Sequence, residues 1–267
     1  MKPIEFIISF LIIIFALFIL WHALFPFDSP SWMGFVDVND NQNIKTLWDW
    51  LDLLIVPVSI GVVGWIYKEY EKSKEERRIK EDKYNDILDS YFKNISDLIL
   101  NSNLTKNKKN KKSKKIARTR TIIALEELDG ERKGQILQFL RETKLLKKID
   151  ILGANFSEGD FEGLVLRNQI IKGVNFKNSN FDNSYLDGTQ FISCDLDSCS
   201  FSNSSLKNVD FNYSKLNNST IRNTDVTTVK FEGAELNNVD LRSTNILPSQ
   251  FKEIVKFSKN IKIDKYE

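Results

Sequence analysis

Few residues in this chain have the type and spacing that chemistry demands. Cys194 and Cys199 form a C-x4-C pair, a spacing that could ligate a metal or close a disulfide, yet no further cysteine or neighbouring histidine completes a zinc set. They read as buried, reduced thiols. His22 is the sole histidine and has no evident partner. Asp49 and Asp52 stand three apart on one helix face, where intramembrane carboxylates could mark an ion path. Beside Trp48 and Trp50 they read instead as headgroup-level charges. Lys106, Lys108, Lys109, Lys111, Lys112, Lys114 and Lys115 fall in one ten-residue run without an acid. Such a run reads as a solvated loop, with attraction to anionic lipid as its functional alternative. Nucleic acid is disfavoured as a partner, because no aromatic residue interleaves the lysines to stack on bases. Hydrolase triads, zinc sites and Gly-rich phosphate loops need residue types or spacings that are absent. The expectation is a non-enzymatic protein with no catalytic residue, metal or cofactor.

What positions these residues is a period of five. From Phe156 to Phe251 every fifth residue is Phe, Leu, Ile or Val, and two residues before each stands a mostly small one such as Ala154, Gly159, Ser179, Cys194 or Ser214. The intervening positions are mostly Asn, Asp, Ser, Lys and Glu. Neither a helix nor a flat strand keeps a fivefold pattern on one face. The chain must therefore turn at each unit and stack its turns around a shared core. The large and small registers point inward and the rest face water. On that assignment both cysteines are interior.

The units ANFSE, VNFKN, CDLDS, VDFNY, AELNN and VDLRS resemble the pentapeptide-repeat family, whose pattern is A(N/D)LXX. The resemblance implies an all-β solenoid, a right-handed quadrilateral β-helix of about five coils with four repeats per coil. Every fourth repeat then stacks, giving a ladder of Ile171, Phe191, Phe211, Phe231 and Phe251. Leu164, Val165, Gln169 and Ile170 depart from the pattern, so the first coil is expected to be irregular or covered by another element. Ala117 to Leu140 and Leu47 to Ile60 further resemble bacterial membrane-anchored pentapeptide-repeat proteins.

Composition divides the 267 residues into membrane, stalk and solenoid. Residues 1–67 read as an anchor of two transmembrane helices at about 6–25 and 47–67, each apolar and the second flanked by aromatic residues. The linker between them holds one basic residue, Lys45, while Lys68, Lys72, Lys74, Arg77 and Arg78 follow the second span. The positive-inside rule then places both termini and the repeats in the cytoplasm of a bacterial cell, on a multi-pass inner-membrane protein. Residues 68–148 read as a charged helical stalk carrying the polybasic loop 106–115. Tyr84, Leu88, Tyr91, Ile95 and Leu98 form an apolar stripe suited to a short coiled coil between copies, a homo-oligomer, or to packing in cis. Residues 116–145 read as two helices broken at Gly130. Residues 149–251 are the β-helix and 252–267 a cap and tail.

Function is then expected from the outside of the coils. The outward residues Lys177, Asp182, Tyr185, Asp187, Asp197, Lys207, Tyr213, Arg222, Glu232 and Arg242 are the candidates to meet a protein partner. The expectation is a membrane-anchored scaffold that integrates into lipid and presents its solenoid to a cytoplasmic protein. The alternative implied by the family is a DNA mimic that modulates a DNA-binding enzyme such as gyrase. The repeats carry twelve acidic and eight basic residues, a weakly acidic balance for that role.

Overall fold

The computed structural model describes residues 47–101, 110–256 and 258–264. The chain divides into two units, residues 1–80 and 81–267. In the first unit the described part belongs to helix α1 (Leu47–Asn101). Gly61 and Gly64 have nothing within 4 Å of an added Cβ.

The two-span membrane reading is corrected here. Among the described residues, no helix is long and apolar enough to cross a membrane, so the multi-pass inner-membrane localisation, with the topology read from it, does not stand. The reason is visible at the second expected span. Between Asp52 and Lys68 the uncharged stretch is only residues 53–67, which at about 1.5 Å per residue covers roughly 22 Å of a hydrocarbon core about 30 Å thick. Pro57, Gly61 and Gly64 dilute its apolar character further. The first expected span, 6–25, lies outside the described residues.

The second unit starts with the apolar stripe of α1. Leu88, Tyr91 and Ile95 are buried, and Tyr84 and Leu98 pack against the same core. They meet α2 (Lys111–Glu127) and α3 (Gly130–Glu142), and the Tyr91 and Thr121 hydroxyls lie 3.0 Å apart. The stripe is thus satisfied in cis. The break between α2 and α3 falls at Leu128 and Asp129 rather than at Gly130: Asp129 caps α3 by accepting from the Arg132 N–H at 3.1 Å. Gly130 instead opens α3, and its lack of a side chain serves packing.

Arg132 ties the helices together. Its buried guanidinium donates to Glu81 at 2.6 Å, Asp129 at 2.7 Å and Asn85 at 2.8 Å, and lies 5.3 Å from the Tyr84 ring centre. A buried cation is tolerated only when paired in this way. Helix α3 then sits directly on the first coil. A Cβ on Gly130 would lie 2.1 Å from the Glu158 carbonyl oxygen, and one on Gly134 2.2 Å from that of Asp160. The Gly130 carbonyl accepts from the Asp160 N–H at 2.9 Å. A shared core runs from Leu88 through the helices into the coils.

The coils pair in parallel at an offset of twenty residues, for instance Asn155, Asn175, Asp195, Lys215 and Glu235 in five successive rungs. Four repeats therefore make one coil. Most contacts are single bridges, and the described strands are β1 (Ile170–Lys172) and β2 (Gln190–Ile192), which pair with each other. The large register is buried from Phe156 to Leu241 except at Phe231, which is half-buried. Rings stack along it: Phe161, Phe181 and Phe201 are 4.7 and 5.1 Å apart, and Phe191, Phe211 and Phe231 are 5.6 and 5.9 Å apart.

Almost every coil corner is turned by a left-handed residue. The fifth position supplies it, with Asn178, Asn183, Asn203, Asn208, Asn218 and Asn238 at φ of +57° to +60°. Asparagine tolerates that region better than other side chains. Of the two outcomes expected for the first coil, it is covered, by α3, and is itself regular: Ile170 belongs to β1 and Val165 pairs with Tyr185. The irregular corner lies instead around Thr224–Thr228. There β-branched Thr228 occupies the fifth position, and it is not among the left-handed residues.

Phe251 leaves the ladder. It lies on α4 (Pro248–Ile254), and Gln250 donates its amide to the carbonyls of Val226 and Val229 at 3.0 Å each. Beyond α4 the chain returns to the last coil, where Lys262 bridges Asp240 and the Leu241 N–H donates to the Lys262 carbonyl at 2.8 Å. That offset is 22 residues because the helix intervenes. Both ends of the solenoid thus have their exposed backbone edges covered.

Candidate interaction surface

The interior holds chemistry that is spent on structure. Most small inward hydroxyls donate to the carbonyl of the large residue 23 positions earlier, and several also accept the N–H of the small residue 20 earlier, whereas Ser184 donates to the Ser204 hydroxyl at 3.3 Å. Ser214 donates to Phe191 at 2.7 Å and accepts from Cys194 at 2.9 Å; Ser179, Ser204 and Ser219 repeat the arrangement. Thr189 donates likewise to Leu166. Cys199 follows suit through sulfur, 2.9 Å from the Phe176 carbonyl. Both cysteines are buried and free, and burial pushes each thiol from its ordinary 9.0 up to about 12. A thiol so held stays protonated and unreactive at neutral pH. Among the described residues no group of His, Cys, Asp or Glu could hold a metal ion.

The outward residues fall in columns, because side chains twenty positions apart stack on the same face. Of the ten candidates, Lys177, Tyr185, Lys207, Tyr213, Glu232 and Arg242 are exposed, and Asp182, Asp187, Asp197 and Arg222 are half-buried. The half-buried acids tie coils together. Asp182 accepts from Ser200 at 2.5 Å and the Ser202 N–H at 2.7 Å, and Asp197 from the Asn217 N–H at 2.8 Å. Asp187 accepts from Ser205 at 2.5 Å and from Arg167 at 3.1 Å. Arg222 and Arg242 converge on Asp240 at 2.5 and 2.7 Å.

Two aromatic residues protrude. Tyr185 is 45% exposed, with the Arg167 guanidinium 5.2 Å from its ring centre. Tyr213 is 60% exposed and occupies a left-handed corner at φ +60°. Its ring drapes over the next corner, where a Cβ on Gly233 would meet it at 2.6 Å. Of the lysine run, Lys111, Lys112 and Lys115 are exposed and Lys114 half-buried. They sit at the start of α2, so this part of the run is helix and not loop. Asn110 caps it through the Ser113 N–H at 3.2 Å. Lys106, Lys108 and Lys109 lie outside the described residues.

Two family models match the coils, one described as a pentapeptide repeat region over residues 174–251 and one as pentapeptide repeats over residues 151–188. Residues 151–251 form a pentapeptide-repeat domain. The fold of such a domain is a right-handed β-helix solenoid, and the twenty-residue offset of the ladder fits four five-residue repeats per coil. No curated protein matches the chain. Among solved structures, a pentapeptide-repeat protein of the Arabidopsis thaliana thylakoid lumen is 21% identical, covering 40% of this chain and 78% of that one at a TM-score of 0.30. HetL of the cyanobacterium Nostoc, involved in heterocyst differentiation regulation, is 13% identical over 42% and 50% at 0.27. QnrB1, a plasmid-mediated fluoroquinolone resistance protein, is 15% identical over 44% and 81% at 0.21.

The sequence reading passed over Arg167, Asp240 and Arg132. Arg167 was legible, since it stands twenty residues before Asp187, the spacing that stacks one repeat domain coil on the next. Arg132 was not, because its partners Glu81 and Asn85 are on α1 and carry no repeat spacing.

Proposed function

We propose that this protein is a non-enzymatic interaction module whose pentapeptide-repeat coils present outward side chains to a protein partner. The observation that carries the reading is Tyr213. A bulky aromatic residue is held, against its backbone preference, in a left-handed corner that asparagine, serine or glycine fills at most other positions of the domain, and is left mostly exposed. Strain of this kind collects at working surfaces, and exposed tyrosine is a residue that interfaces favour. The acidic residues support a DNA-mimic role less well. Asp182, Asp187 and Asp197 are engaged in bonds between coils, and Lys177 and Lys207 interrupt any acidic track.

The test is a photo-cross-linking amino acid placed in the full chain at one outward position per face: Lys177, Asn203, Tyr185 and Tyr213. A discrete protein adduct formed from the Tyr213 or Tyr185 position, and not from all four equally, is expected. Absence of any adduct from all four faces contradicts the proposal. Gyrase subunits as the adduct would replace it with the mimicry reading.

A further inference from the structure

We propose that the face built on Phe161, Phe181, Phe201, Ile221 and Leu241 is a self-complementary docking surface for a second copy of this chain. The residue following each of these, in order along the solenoid, is Glu162, Asp182, Ser202, Arg222 and Arg242. The column reads negative, negative, neutral, positive, positive, at the fixed spacing of one coil, about 4.8 Å. Turned end for end about Ser202, it is its own complement. Glu162 falls opposite Arg242 of a second copy, Asp182 opposite Arg222, and Ser202 opposite Ser202. That is the pattern an isologous twofold interface requires.

The local structure keeps both ends ready. Arg222 and Arg242 are already fixed on Asp240 through Nε and Nη2, which leaves each Nη1 for another acceptor and lowers the ordering cost of binding. Asp182 spends Oδ1 on Ser200 and Ser202, leaving Oδ2. At the acidic end Asp160 is exposed beside Glu162, and Glu131 shares the adjoining crevice. Arg141, also in that crevice, is paired with Glu142 at 3.0 Å. Asp264, beyond Arg242, accepts from the Ser243 N–H at 2.5 Å. Exposed ion pairs are individually weak and screened by salt, so the association is shallow and salt-sensitive.

The experiment is sedimentation equilibrium on the full chain, with Glu162→Arg and Arg242→Glu as separate variants. In Arg242→Glu, Arg222 still pairs Asp240, so the fold is retained, and circular dichroism verifies it. Wild type should show twice the mass of one chain at low salt and one chain at high salt. Each variant alone should remain single at low salt, and an equimolar mixture of the two should recover the doubled mass. A wild type of single mass at every salt concentration overturns the proposal. So does a doubled mass that survives both substitutions, or a mixture that stays single.

Discussion

Ser214 shows what a single small residue contributes: its hydroxyl satisfies the buried Cys194 N–H above and the Phe191 carbonyl in the same coil stack. Ser214→Ala should lower stability by about 1–3 kcal/mol, the cost of an unsatisfied buried donor, measured by urea denaturation. The thiols give a pH signature. Below about pH 9 they are protonated in both states. Above it the unfolded chain releases protons that the folded chain holds until about 12, so the unfolded state binds fewer protons and stability falls. The denaturation midpoint should be unaffected by the thiols up to about pH 9 and decline above it, less steeply in a Cys194→Ala, Cys199→Ala variant. At Tyr213 stability and function should part. Tyr213→Asn relieves the left-handed corner and should raise stability by up to about 1 kcal/mol, while weakening partner cross-linking.

Helix α3 approaches the first coil closely at two glycines, Gly130 and Gly134. Gly134→Ala should force α3 off the first coil, because its Cβ would sit 2.2 Å from the Asp160 carbonyl oxygen. Gly64→Ala, in open surroundings on α1, should be neutral or stabilising by up to about 1 kcal/mol. Thermal melts of the two variants decide the matter, and equal losses would contradict the packing described. This contrast also marks what could be read beforehand. The coils, their inward registers and the buried cysteines were legible because a period of five repeats many times over. The corner chemistry was equally present, as Asn or Gly at the fifth position. By contrast, the seat of α3 on Glu158 and Asp160 depends on contacts between non-repeating segments, and Gly130 looked like a helix breaker when it is a contact point. The second span failed for want of length, since Asp52 and Lys68 bracket too short an apolar stretch.

At the scale of the molecule, residues 81–267 combine helices and coils around a shared core, and the surface they hold rigid is what the proposed function uses. Leu88 and Ile95 on α1, Leu137 and Leu140 on α3 and Phe156 in the first coil belong to one buried cluster, so the helices and the coils share a core. Removal of residues 248–267 should uncover the last coil and promote aggregation through its exposed edge, detectable by light scattering. The most direct test of the account is hydrogen exchange of the full chain followed by mass spectrometry. The account predicts that the amides of residues 88–98, of α2 and α3, and of the coils from 154 to 241 are protected together and open in one cooperative step. Fast exchange in the helices beside protected coils, or coils that open one after another, would contradict it.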